Sequence, residues 1–281
     1  MVRELISRLA ARLAKAGIED ARAEAWLLVA AATGRERAAL VAGADDALDS
    51  EAQALLDEML TRRLRHEPMA YILREKEFWS LLLAVAPGVL IPRPETESVV
   101  EAALDAVPDR QAGLRVLDLG TGSGCLLLAL LSELPNATGI GVDASGEALA
   151  MAESNARRLG LARRATFLQG AWGRGLDGAF DLIVGNPPYV READWGSLQP
   201  EIRDFEPAAA LLAGPDGLDA YRALAPDVLR LLATHGGLVL EIGFGQGDAV
   251  TAILAAHGLD VVGRRRDLAG IERALVARDR R

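Results

Sequence analysis

Apolar and polar residues change rhythm twice along this chain, and the changes divide it. From the start to about Arg65 the apolar positions recur every three or four residues, as they do along one face of a helix. Leu5, Ile6, Leu9 and Leu13 make the first stripe. Ala21, Trp26, Leu27, Val29 and Ala30 make the second, with Asp20 as its expected cap and Gly34 closing it. Ser50 opens a third segment over 51–63, where Leu55, Leu56, Met59 and Leu60 repeat. Short helices of this kind bury their stripes only against one another, so a small bundle is expected.

Between Met69 and Leu90 the pattern turns β-rich: Ala70-Tyr71-Ile72-Leu73, then Glu77-Phe78-Trp79, then Leu81-Leu82-Leu83-Ala84-Val85 before a Pro87-Gly88 turn. A connecting hairpin is expected there. Ile91-Pro92-Arg93-Pro94-Glu95-Thr96-Glu97 follows, and its prolines delay the next helix, 98–106, whose first turn is acidic as the helix dipole favours. Beyond Leu114, apolar runs of strand length alternate with helical stretches, which predicts a parallel sheet covered on both faces. Strands are expected near 114–119, 138–143, 165–169, 180–185, 237–242, 259–263 and 273–278. Too few residues separate the last two for a helical crossover, so the final strand is expected to run antiparallel. The expected organisation is a helical bundle over 1–68, a β-hairpin linker over 69–91 and a Rossmann-like seven-stranded α/β domain over 92–281.

Two motifs add chemistry to this frame. In Val116-Leu117-Asp118-Leu119-Gly120-Thr121-Gly122-Ser123-Gly124 a strand runs into three alternating glycines, and Cys125 to Leu131 then reads as a buried helix. Glycine serves where the chain turns with positive φ or lets a ligand reach the backbone. The dinucleotide fingerprint puts its third glycine one residue later, where this chain has Cys125. Asp118 suits a cationic ligand, such as a sulfonium with its ammonium group, better than a phosphate. Asp143 ends the next strand, about twenty residues on, where a carboxylate can bind ribose hydroxyls. The second motif is Asn186-Pro187-Pro188-Tyr189, at the end of the apolar run Phe180 to Gly185. The prolines hold the backbone extended and poor in N–H donors. An amide side chain, the Pro187 carbonyl and the Tyr189 ring together suit a planar amino group, on an amide or on a nucleobase. Residues 120–124, Asp143, the Gly170-Ala171-Trp172 run and Asn186 all fall at carboxyl ends of strands, the edge where such sheets bind ligands.

Composition narrows the function classes. Of 281 residues 51% are hydrophobic and 25% charged, which fits a globular domain and not a disordered chain. No apolar run approaches the roughly 20 residues of a membrane span. The 1 Cys excludes an internal disulfide and fits a reducing cytoplasm. His66, His235 and His257 lack ligand spacing, so no metal site is expected. Arg3, Arg8, Arg12 and Lys15 surround the first stripe, but Glu4 interrupts them, and a first domain helix is expected in place of a transit peptide. With a formal charge of −9, and basic clusters as short as Arg62-Arg63, Arg163-Arg164 and Arg264-Arg265-Arg266, direct nucleic-acid binding is not expected.

With these residues in view the chain resembles the class I S-adenosylmethionine-dependent methyltransferases, and within them the peptide chain release factor N5-glutamine methyltransferases. The resemblance covers nearly the whole length. It is carried by Glu67-Pro68-Met69-Ala70-Tyr71, by 90–97, by 118–124, by 186–189, by Glu206-Pro207 and by Gly217-Leu218-Asp219. Glu241-Ile242-Gly243 and Asp267-Leu268-Ala269-Gly270 with Arg273 also fit. The glycine loop marks the superfamily, residues 186–189 are shared by adenine and glutamine N-methyltransferases, and the Pro-Arg-Pro-Glu-Thr-Glu run narrows the likeness to the glutamine branch. The resemblance implies methyl transfer to the glutamine of a Gly-Gly-Gln loop in release factors, by a seven-stranded domain preceded by a helical bundle; the bundle is expected to dock the substrate, and a monomer is expected. It implies that Gly120, Thr121, Gly122, Ser123 and Gly124 hold the methionine end of the cofactor, Asp143 the ribose and Trp172 the adenine. Asn186 would touch cofactor and substrate, with Pro187, Pro188 and Tyr189 around the substrate amide. The chain departs from the family at Ala171, where relatives carry a polar residue, and at Arg74, where glycine is usual.

Overall fold

The computed structural model describes residues 2–42 and 48–280, which form two compact units. The first holds residues up to Arg74 together with 199–205. Its helices are α1 (Val2–Lys15), α2 (Ala21–Thr33), α3 (Arg37–Ala42), α4 (Ser50–Arg63) and α5 (Met69–Leu73). Ile6, Leu9, Leu13, Ala25, Leu28, Leu40, Leu56, Leu60 and Ile72 close one apolar core. The α4 cap is Asp49, whose carboxylate accepts from Ala52 N at 2.8 Å, so Ser50 is the first helical residue and not the cap. Asp20 makes no side-chain cap bond, while Gly34 ends α2 in the left-handed region. Buried Arg63 donates to Glu24 at 2.6 Å and to Glu201 at 3.0 Å, so the Arg62-Arg63 cluster is internally paired.

Residues 70–73 correct the expected strand: they lie in helix α5, started by Pro68 and ended by Arg74. A run this short shows no period, and burial of Ile72 in the helical core decides the outcome. Arg74 sits at φ 60° and ψ 22°, left-handed backbone that disfavours a side chain by about 1–2 kcal/mol. Because glycine is the more flexible residue when unfolded, Arg74→Gly is expected to raise stability by only about 1 kcal/mol. Urea unfolding of the two proteins checks this; an Arg74→Gly midpoint at or below that of the parent chain rejects the strain.

The second unit holds 75–198 and 206–281. It opens with an antiparallel hairpin of β1 (Glu75–Phe78) and β2 (Leu81–Ala84). After α6 (Glu97–Ala106) come β3 (Arg115–Leu119), α7 (Cys125–Glu133), β4 (Thr138–Asp143), α8 (Gly146–Arg158), β5 (Ala165–Gln169) and β6 (Phe180–Gly185). The short helix α9 (Pro200–Phe205) belongs to the first unit. The chain then forms α10 (Asp219–Leu231), β7 (Leu232–Glu241), α11 (Gly247–Ala256), β8 (Leu259–Arg266) and β9 (Glu272–Asp279). The seven strands form one sheet in the order β5-β4-β3-β6-β7-β9-β8. β3 to β7 are mutually parallel where they pair, and β9 runs antiparallel to both β7 and β8, as the short final connection requires.

Strand alternation feeds two cores. Val116, Leu182, Val184 and Val239 face α6 and α7 on one side. Leu117, Ile183, Leu238 and Leu240 face α10 and α11 on the other. β7 starts five residues before its expected position, where Leu232 pairs with Phe180. β8 runs on through the three arginines, whose partners include Asp248, Glu101 and the Gly270 carbonyl. From β3 the chain steps outward through β4 and β5, then returns to lay β6 on the other side of β3. Above that reversal the two following loops diverge and leave a crevice, the usual ligand position in an open α/β sheet.

Candidate active site

The glycine loop follows β3 into this crevice. Gly120 N and Thr121 N both donate to Val142 O at 2.9 Å, and Gly124 N closes the turn on Thr121 O at 2.8 Å. All three loop glycines have positive φ, from 54° at Gly122 to 83° at Gly124. A Cβ on Gly124 would meet Leu128 and Ala152 at 3.1 and 3.2 Å, so side-chain bulk is excluded where the loop enters α7.

Asp143, at the end of β4, accepts from Gly122 N at 2.8 Å through one oxygen and from Ser145 N at 2.9 Å through the other. Each oxygen keeps a further lone pair for a ligand hydroxyl. Fully buried Asn155 fastens the loop from behind: Nδ2 donates to Ser123 O and Ala84 O, both at 3.0 Å, and Oδ1 accepts from Ala84 N at 2.7 Å.

A cavity of about 470 Å³ opens here, lined by Gly120, Gly122, Asp143, Trp172, Asn186 and Pro188 among others. Thr121 and Ser123 line a smaller adjoining recess that Asn186 and Thr96 share. The structure therefore brings most of the expected site residues to one place. Gly124 is not at the cavity wall but in the packing beneath it. Pro187 is buried, and Tyr189 packs against the core with its hydroxyl donating to Glu241 Oε1 at 3.3 Å.

Asp118 corrects an expectation. Its side chain is 0% exposed and lines neither cavity, because β3 is a central strand and Asp118 points to the face covered by α7. One oxygen accepts from Thr121 Oγ1 at 2.7 Å, and Oδ1 has no partner. A ligand cation at the loop cannot touch it directly. Burial pushes its pKa up to about 7, partly offset by the Thr121 bond.

Sequence reading missed three side chains that hold the Asn186 segment. Asn186 Nδ2 donates to Thr96 Oγ1 at 3.2 Å. Glu206 accepts from Ile91 N at 3.1 Å and pairs with Arg93, tying the 91–97 run in place. Glu241, 1% exposed, is pushed up to about 7 by burial, with Thr96, Arg273 and Tyr189 acting in the opposite direction. The signal for all three was their presence in family segments, but nothing local ties them to Asn186.

The two raised carboxyls predict a pH effect. A group whose folded pKa exceeds its unfolded value stabilises the fold fully below the unfolded pKa and loses that contribution as pH rises to the folded one. For Asp118 and Glu241 that window runs from about 4 to 7. Asp118→Asn removes one share, so its melting temperature relative to the parent chain is expected to rise by several degrees between pH 4 and pH 7. A difference independent of pH rejects the burial argument.

Fold and crevice define a protein of the methyltransferase class. Residues 110–243 match the methyltransferase domain family, and residues 4–73 match the PrmC N-terminal domain family. The ribosomal protein L11 methylase of Lactobacillus delbrueckii subsp. bulgaricus shares the fold, with a TM-score of 0.51 and 21% identity over 67% of this chain and 81% of that one. The release factor glutamine methyltransferase of Caulobacter vibrioides is 45% identical over 94% of this chain and 92% of its own length. The protein of that name from Rhodospirillum rubrum is 45% identical over 98% and 84%. At this identity and coverage the chain belongs to the release factor glutamine methyltransferase family.

Proposed function

We propose that this protein transfers the methyl group of S-adenosylmethionine to the side-chain amide nitrogen (N5) of the glutamine in the Gly-Gly-Gln motif of peptide chain release factors. The observation that carries the reading is the Asn186 amide. Asn186 lines the crevice with Gly122, and one of its amide hydrogens is spent on Thr96, which leaves the amide oxygen as the free acceptor for a substrate.

The residues present fit the cofactor. The cavity offers a carboxylate at the end of β4, an indole ring at Trp172, and apolar walls at Val89, Leu90 and Val142 beside a loop without side-chain bulk. In our reading Asp143 takes the ribose hydroxyls, Trp172 lies against the adenine, and residues 120–124 hold the methionine end. When bound, S-adenosylmethionine supplies a methyl group on a sulfonium.

A carboxamide nitrogen is a poor nucleophile because its lone pair spreads into the carbonyl. Asn186 Oδ1 and the Pro187 carbonyl would accept its two hydrogens, favouring charge on nitrogen and fixing its aim. We assign Tyr189 to the flat face of the amide and Pro188 to the pocket wall. The protein need not supply a base, since an N-alkylated amidium loses its proton readily to water. Burial raises the Tyr189 phenol well above its ordinary range and pushes the Cys125 thiol up to about 12, so both keep their protons.

We further assign substrate docking to the N-terminal bundle expected over 1–68, and a cytoplasmic monomer as the working form. No helix among the described residues is long and apolar enough to cross a membrane. The acidic charge of −9 argues for a protein substrate over DNA or RNA. Incubation with methyl-labelled cofactor and purified release factor, its Gly-Gly-Gln glutamine mutant, ribosomal protein or DNA tests the reading. Label is expected on the intact release factor alone. Transfer to DNA, or equal transfer to the glutamine mutant, rejects it.

A further inference from the structure

We infer that Thr96 and Glu241 are positioning residues for the substrate amide: Thr96 fixes which way the Asn186 side chain faces, and Glu241 fixes which way Thr96 bonds. The inference rests on the methyl-transfer reading above. A carboxamide has an acceptor end and a donor end of nearly equal shape, and its orientation is decided only by what it bonds to. Turned by half a rotation, Asn186 would present N–H groups to a substrate that also presents N–H groups, and the grip would become a repulsion.

Thr96 Oγ1 accepts from Asn186 Nδ2 at 3.2 Å. A hydroxyl alone does not secure that orientation, because it can donate as readily as it accepts. Its own hydrogen must be engaged elsewhere. The Thr96 hydroxyl acts on the Glu241 carboxyl, pulling its pKa down against the effect of burial. Glu241 and Thr96 are each 1% exposed, so water does not compete for either. An ionised carboxylate only accepts, and Glu241 Oε2 is a buried acceptor without a hydrogen-bond partner, left open to the Thr96 hydroxyl.

The Thr96 hydrogen is thus drawn toward Glu241, its lone pair is left for Asn186, and the Asn186 oxygen is left for the substrate. The other Glu241 oxygen accepts from the Tyr189 hydroxyl at 3.3 Å, so the same carboxylate also holds the aromatic end of the segment. Tyr221 steadies the strand end by donating to the Glu241 carbonyl at 3.0 Å. One buried acid, at the end of β7, therefore governs two side chains at the end of β6 through the turn that precedes α6. No stretch of local sequence joins these three places.

The test compares Thr96→Val, which keeps the shape and loses the hydroxyl, with Thr96→Ser, which keeps the hydroxyl, and with Glu241→Gln. All are studied as the full chain at pH 8, where the acid is ionised. Thr96→Val is expected to lower kcat on release factor by about 10- to 100-fold, the scale of one lost hydrogen bond at a reacting group, with KM changed by less than about threefold. Thr96→Ser is expected to restore turnover to within about threefold of the parent chain.

A second readout needs neither cofactor nor substrate: hydrogen exchange of the Asn186 side-chain NH₂ by ¹⁵N NMR. Exchange should quicken at least about tenfold in Thr96→Val and Glu241→Gln and stay slow in Thr96→Ser. Parent-like exchange or turnover in Thr96→Val overturns the inference, as does Thr96→Ser failing as badly as Thr96→Val. If Thr96→Val does not fold, Glu241→Gln and Thr96→Ser carry the same comparison. A parent chain that methylates no release factor sinks the functional reading, while the exchange data still decide the orientation.

Discussion

Asn186→Ala is expected to lower kcat on a release factor by about 10²-fold or more, some 3 kcal/mol of transition-state stabilisation, without changing the melting temperature. The argument is one of direction. Asn186 lines the crevice, and with its amide nitrogen held by Thr96 the oxygen is the end expected to meet the substrate. Alanine removes the acceptor and leaves the rest of the crevice, so binding of the release factor through distant surfaces should persist and KM should move less than kcat. Asn186→Asp is the sharper companion. It keeps an acceptor but loses the N–H that Thr96 receives, and adds a charge at the crevice, so it too should fail. Turnover of Asn186→Ala within a few-fold of the parent chain would remove Asn186 from the mechanism.

The second large effect is on the cofactor. Asp143→Ala is expected to weaken S-adenosylmethionine binding by about 10²-fold, measured by calorimetry, because hydrogen bonds to a charged group contribute about 1.5–3 kcal/mol each. Asp143 acts twice. Its oxygens hold Gly122 N and Ser145 N, pinning the glycine loop to the start of α8, and Asp143 lines the cavity with acceptor capacity to spare. Asp143→Asn retains one acceptor and should fall between the two. An affinity unchanged in Asp143→Ala would take the ribose away from this carboxylate.

The parts of the molecule that local sequence foretold share a cause. β4, β5 and β6 fall at the expected residues, since each is a compact apolar run closed by Asp143, Gly170 or Asn186-Pro187. The turn of the glycine loop was foreseeable because positive φ at 120, 122 and 124 is a constraint that a residue type carries by itself. Where local and tertiary preferences compete, reading fails. Residues 70–73 have strand-like composition, yet Ile72 is buried in the helical core and the segment is α5. The start of β7 is hidden by Thr234, His235 and Gly236, and only pairing of Leu232 with Phe180 extends it. Arg264, Arg265 and Arg266 look like a solvated end, but Asp248, Glu101, Asp105 and Glu272 supply charges that let β8 continue.

Side-chain partnership obeys a different rule. Asn186 meets Thr96 across 90 positions of chain, and Ile91 meets Glu206 across 115. Asp118, read from its place before the glycines as a ligand for a cation, is buried beneath α7 because β3 occupies the middle of the sheet. Backbone chemistry and hydrophobic period are local properties, so the order of strands and helices, the glycine turn and the rigid Asn-Pro-Pro-Tyr corner were written in the chain. Which carboxyls lose water, and which donor faces which acceptor, depends on elements brought together only after folding, and that decided how Asn186 is held.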